Sequence, residues 1–258
     1  MPLTYAGYLR LDELLSLQRP ESGEHDEILF IVIHQVYELW FKELLHELDY
    51  LRLSLPERDP AVALATLKRI LTILKIAVAQ TDVLETMSPL DFFSFRDRLE
   101  TASGSQSYQF REIEFVLGLK DRSVVEGFPD GSEGRQRLTA RLGDPTVWDA
   151  LARHLDNKGY DVPREVLERD VSEPVEPCAG MQEVLIRVYR EDPLGAQICE
   201  RFVDLDEGLQ EWRYRHIKMV ERTIGTQRGT GGSSGVHFLK GTLFRPVFPD
   251  LWAIRAEL

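Results

Sequence analysis

Cysteine is scarce in this chain: Cys178 and Cys199 are the only two in 258 residues. Two thiols so far apart form no disulfide framework and have no metal-ligand spacing, so a reducing compartment is the simpler expectation. Basic residues are also in deficit, with 31 Lys and Arg against 43 Asp and Glu and a formal net charge of −12. That balance argues against nucleic acid as a partner, because phosphate binding needs a basic stripe. Long apolar runs are missing as well. The longest, Ile28 to Ile33, is far too short to cross a bilayer, and no membrane association is expected. Met1-Pro2-Leu3-Thr4-Tyr5 has no basic region followed by an apolar stretch, so the expected location is cytoplasmic. Strand-like alternation, internal repeats and low-complexity tracts are likewise lacking.

What the chain does have is helical periodicity. Its hydrophobic fraction of 43% is enough to build a core. From Asp26 to Leu55, Leu29, Ile33, Val36, Trp40 and Leu44 recur at spacings of three and four beside Phe30, Tyr37, Phe41, Leu45 and Leu48. Two adjacent apolar stripes predict a helix buried on most of its circumference. A second long helix is predicted from Asp59, with Pro60 at its first position, towards Val83. Ser88-Pro89 breaks the pattern, a short helix follows to Leu99, and Ala102-Ser103-Gly104-Ser105 reads as a loop. A helix is expected over Gln109 to Leu117 and a last long one over Ala196 to Ile224. Between Lys120 and Asp192 the pattern is broken, apart from an amphipathic helix opening at Asp144-Pro145; Asp161 to Pro177 reads as irregular. The expected fold is all-α, a single large helical-bundle domain over 1–258, with 120–192 as an insertion packed on the same core.

Some residues could carry chemistry. His216 lies on the apolar stripe of the last helix, four residues after Trp212 and four before Val220. A core histidine bonded to a carbonyl is the bland interpretation; an axial ligand to haem iron is the sharp one, since that role needs a neutral imidazole on a rigid helix facing an apolar slot. His34 has the same ambiguity, between a satisfied core histidine and a polar handle or general base over a substrate ring. Arg96, within Asp91-Phe92-Phe93-Ser94-Phe95-Arg96, is enclosed by aromatics and needs an anion, either Asp91, Glu85 or another acid of the chain, or a substrate carboxylate. Gly229 to Gly235 lacks the lysine of a phosphate-binding loop and reads as a flexible loop able to approach a ligand or close like a lid. Tyr5 and Tyr8 are most simply anchors for the terminal segment.

Several blocks, in order along nearly the whole chain, resemble the tryptophan 2,3-dioxygenase family. They are Tyr5-Ala6-Gly7-Tyr8-Leu9, Phe30-Ile31-Val32-Ile33-His34-Gln35 with Glu38-Leu39-Trp40, Leu84-Glu85-Thr86-Met87, Phe92 to Arg96, Ala102-Ser103-Gly104, Arg213-Tyr214-Arg215-His216 and Gly229 to Gly235. The resemblance implies haem b, active as Fe2+ and held between helices, with O2 as co-substrate. It implies His216 as the metal ligand, with Trp212, Ser103 and Gly104 at the cofactor. His34, Ser103 and Gly104 are implied in catalysis, and Phe30, His34, Phe92, Arg96 and Thr230 in substrate binding. Tyr5, Tyr8 and Leu9 match a segment that completes a neighbouring subunit's site in a homotetramer. The implied reaction inserts O2 across the indole C2–C3 bond of L-tryptophan to give N-formylkynurenine. One departure stands out: the family's Ser-Gly-Phe-Gln-Ser loop is Ser103-Gly104-Ser105-Gln106-Ser107 here. It keeps an alternative open, a monooxygenase of the same superfamily making a 2-oxindole from indole or a tryptophan derivative such as β-methyltryptophan. A haem-binding sensor without turnover and a purely structural bundle are readings from other classes.

Overall fold

The computed structural model describes residues 2–231 and 236–258, with the backbone alone for His237 and Phe238. Among the described residues the regular structure is helical throughout, with no strand. Three long helices form the frame: Glu27–Ser54, Pro60–Leu84 and Pro193–Ile224. The Pro193–Ile224 helix packs along Pro60–Leu84, which packs along Glu27–Ser54; the shorter Tyr108–Leu117 helix lies against Glu27–Ser54.

Local chemistry sets the helix boundaries. Asp59 accepts from the Ala61 N–H and Pro60 occupies the first turn, where its missing N–H costs nothing. Ser88 and Asp91 form a reciprocal capping box that starts Pro89–Phe95, after which the chain tightens into a 3-10 turn, Arg96–Leu99. The Pro60–Leu84 and Pro193–Ile224 helices approach closely at Gly208, where a Cβ would lie 2.9 Å from Leu74 Cδ2 and would force that side chain to shift.

One contiguous core joins these helices, running from Ile33 and Phe41 through Leu67, Ile70 and Ala77 to Phe202, Leu205 and Leu209. It extends without a break into Trp148, Leu151 and Leu155 of the Val147–Asn157 helix and into Met181, Leu185 and Val188 of Ala179–Glu191. The 120–192 stretch is more helical than its sequence suggests. Arg122–Glu126, Glu133–Leu142, Arg164–Leu167 and Ala179–Glu191 are all helices that weak periodicity concealed. The helix expected at Asp144-Pro145 begins instead at Val147, because Thr146 and Asp149 supply a capping box that Pro145 cannot.

At the other end, the Tyr5–Leu9 helix buries none of its residues, and Tyr5 and Tyr8 remain 77% and 71% exposed. Within one chain these tyrosines anchor nothing. The following segment is tied down instead by buried Glu27, whose carboxylate accepts from the Glu21 and Ser22 N–H groups. No described helix is long and apolar enough to cross a membrane.

Candidate active site

A cavity opens between the three frame helices and the loops that follow Pro89–Phe95 and Pro193–Ile224. Its walls include Phe30, His34, Tyr37, Phe41, Phe92, Phe110, Trp212 and His216, with Arg96, Ser103, Gly104 and Thr230 towards the loops. Apolar and aromatic side chains dominate, with a few converging polar groups, as in pockets for flat organic ligands.

Its two histidines stand in different states. The side chain of His34 turns back along its own helix, and Nδ1 lies 2.7 Å from the Phe30 carbonyl oxygen. Only a protonated Nδ1 can donate to that oxygen, so the neutral ring carries its lone pair on Nε2. Burial holds its pKa below the usual imidazole value, against the opposing pull of the Phe30 carbonyl and Glu38. His34 therefore stays neutral with an acceptor nitrogen to offer. Phe30 lies beside it at 4.1 Å between ring centroids, and Phe92 is 5.9 Å from Phe30.

His216 is held differently. Its ring stacks on Trp212, one turn earlier on the same helix, at 5.1 Å and 11° between planes. Trp212 is itself clamped by Phe110 at 4.5 Å and Phe41 at 6.1 Å. Burial pushes the His216 pKa down to about 4, with the neighbouring His34 imidazole and the Arg111 charge acting in the same direction. No hydrogen bond holds the His216 ring among the described residues, so it is not the carbonyl-bonded core histidine of the bland interpretation. Among the described residues His216 is thus a neutral, stacked imidazole without a hydrogen-bond partner, on the wall of a largely apolar cavity.

Arg96 also departs from its simplest expectation. Asp91 accepts from the Ser88 N–H and Glu85 pairs with Arg215 and Arg222, so neither neutralises it. Its Nη1 donates to Gln227 Oε1 at 3.1 Å and its Nη2 to the Arg228 carbonyl at 2.6 Å, while its Nε is buried without an acceptor. The guanidinium also lies over the Phe93 ring at 5.6 Å.

Two loops close this end. Ser103 Oγ accepts from the Ser105 N–H and hydroxyl at 3.3 and 3.0 Å, fixing the Gly104–Gln106 turn. Thr230 donates its hydroxyl to the Ala102 carbonyl, and a Cβ on Gly231 would fall 2.8 Å from Ser103 Cβ. Only glycine allows that approach. Of the glycine-rich loop, Gly229, Thr230 and Gly231 belong to this seam, whereas Gly232, Ser233, Ser234 and Gly235 lie outside the described residues.

The structure thus gathers Phe30, His34, Phe92, Arg96, Ser103, Gly104, Trp212, His216 and Thr230 around one cavity. It does not bring Tyr5, Tyr8 or Leu9 there. It adds a charged corner that sequence reasoning missed. Glu114 accepts from Arg111 Nη1 at 2.6 Å and from Arg213 Nη2 at 2.7 Å, so two guanidiniums share one carboxylate. With Glu38 also on the wall, the cavity carries three guanidiniums against two carboxylates. Such an excess at a largely desolvated position favours an anionic ligand group. Arg111 belongs to none of the motifs that single out residues in the sequence.

Comparison with known proteins identifies the family. The family model for tryptophan 2,3-dioxygenase matches residues 1–129 and 177–258. A tryptophan 2,3-dioxygenase of Herpetosiphon aurantiacus is 57% identical over 258 residues, covering 99% of this chain and 98% of the relative. One from an Anaeromyxobacter species is 56% identical over 256 residues, covering 99% and 96%. One from Caulobacter vibrioides is 44% identical over 260 residues, covering 99% and 98%. The chain belongs to the tryptophan 2,3-dioxygenase family.

Proposed function

We propose that this chain is a haem-dependent dioxygenase that inserts both atoms of O2 across the indole C2–C3 bond of L-tryptophan, giving N-formylkynurenine. The observation that carries the reading is the placement of an unpartnered neutral His216 and an acceptor-bearing neutral His34 in one aromatic cavity, with Arg96 at its loop end. The residues present fit a haem: an apolar slot, an axial imidazole, and excess guanidinium charge for the cofactor's carboxylates.

His216 would hold the iron, with the Trp212 stack fixing its ring plane. Ser103 and Gly104 would help hold the cofactor, and the Arg111 guanidinium would offer its charge to a carboxylate of it. When bound, haem b in its ferrous form supplies the oxygen chemistry, and the protein supplies binding and orientation. Phe30 and Phe92 would flank the indole ring. His34 Nε2 would accept the indole N–H, which sets the ring's rotation in its slot. Arg96 would take the substrate carboxylate, with Thr230 contributing a hydroxyl beside it.

The test is mass analysis of the product formed from L-tryptophan under labelled O2. Two heavy oxygens in N-formylkynurenine are expected. A product with one heavy oxygen would favour the second reading, a monooxygenase forming a 2-oxindole from indole or β-methyltryptophan, which Ser105 on the cavity wall motivates. We place the chain in the cytoplasm as a single haem-binding domain over 1–258, with 120–192 as a helical insertion. Its assembly is a homotetramer in which exposed Tyr5, Tyr8 and Leu9 complete a neighbour's site; the exposure of the Tyr5–Leu9 helix supports this.

A further inference from the structure

Arg96 delivers its two terminal nitrogens to two oxygens of one short segment, Gln227 Oε1 at 3.1 Å and the Arg228 carbonyl at 2.6 Å. Two oxygens side by side on the tips of a guanidinium reproduce the way a carboxylate is held. Yet both are neutral, and no carboxylate pairs with Arg96 among the described residues. A neutral oxygen holds a guanidinium less tightly than a carboxylate does, because it brings no opposite charge to the bidentate pair. The pair therefore occupies the two tips of Arg96 without neutralising its charge, and a carboxylate can displace it.

We propose that Gln227 and the Arg228 carbonyl are a built-in surrogate for the substrate carboxylate, and that Gln227 sets how tightly carboxylate-bearing indoles bind. This rests on reading Arg96 as the carboxylate partner. An incoming amino acid must exchange its carboxylate for these two oxygens, so its measured affinity is reduced by the fraction of molecules in which the surrogate is in place. An indole without a carboxylate does not compete for Arg96 and bypasses the exchange.

The test uses the full-length, haem-loaded ferrous chain without O2, titrated with L-tryptophan and with 3-methylindole and read by the Soret shift. Gln227 is exposed, so its variants should fold. Gln227→Ala should tighten L-tryptophan binding by about threefold to tenfold and leave 3-methylindole unchanged. Gln227→Glu, which turns the surrogate into a true anion, should weaken L-tryptophan by at least about tenfold, again sparing 3-methylindole. The surrogate is refuted if Gln227→Ala leaves the ratio of the two affinities unchanged or lowers it, or if Gln227→Glu leaves it unchanged. Arg96→Ala separates the two levels of the claim. A loss confined to L-tryptophan supports the carboxylate seat whatever Gln227 does; equal losses for both ligands overturn the seat itself.

Discussion

At the scale of single residues, the site is built by giving similar side chains different partners. His34 and His216 are both neutral, but among the described residues one has a nitrogen committed to a backbone carbonyl and the other has none. That difference decides which can act as a directed acceptor and which can bind metal. His216→Ala should abolish stable haem incorporation, seen as loss of the Soret band after reconstitution with hemin; a normal spectrum would refute the assignment. Gly231 makes a second residue-level case. In Gly231→Ala the new methyl would sit 2.8 Å from Ser103 Cβ, so the Thr230 segment must move off its seam. We expect the KM for L-tryptophan to rise several-fold while the melting temperature changes little, since the contact joins two loops outside the core. Steady-state kinetics beside a thermal melt would decide it, and an unchanged KM would show that the seam has no part in binding.

Among the elements, the long helices are over-determined by burial, and shorter ones depend on their ends. The Val147–Asn157 helix begins with the reciprocal Thr146–Asp149 box, and Asp149 also receives Arg169 at 2.6 Å. This buried arrangement joins the 120–192 stretch to the core at Trp148 and Leu151. Thr146→Ala should cost about 1 kcal/mol of stability through the lost cap. Trp148→Ala should cost about 3–5 kcal/mol, because it empties a fully buried ring site. Urea unfolding of the two variants would check both, and equal losses would show that the cap, not the packing, holds the helix. The Tyr5–Leu9 helix is the opposite extreme. None of its residues is buried within its own chain, so packing on the core does little to hold it.

Across the whole molecule, stability responds to pH through buried imidazoles. His154 is buried, its Nδ1 lies 2.9 Å from the Leu55 carbonyl, and its Nε2 has no partner among the described residues. Burial lowers its pKa, with nearby Lys158 acting in the same direction. Below the ordinary imidazole value of about 6.5, the unfolded chain therefore binds more protons than the folded one. Stability from this group is complete above that value and is lost as pH falls towards the folded pKa. The melting temperature should drop on acidification below pH ~6.5, less steeply in His154→Gln. Identical slopes in the two proteins would remove His154 from the acid response.

Periodicity alone determined the frame: the Glu27–Ser54, Pro60–Leu84 and Pro193–Ile224 helices were all legible, because a long buried helix must repeat apolar residues every three or four positions. Ordered motifs likewise pointed to Phe30, His34, Phe92, Arg96, Thr230 and His216 before any geometry was known. The helices within 120–192 were hidden, since short segments rely on caps and tertiary packing more than on their own pattern. Only the folded chain decided who satisfies Arg96, which histidine keeps an unbonded ring, and that Arg111 and Arg213 share Glu114. Those outcomes depend on atoms brought together from distant positions, such as Arg96 with Arg228, and no local spacing encodes a distance between two separate helices and a loop.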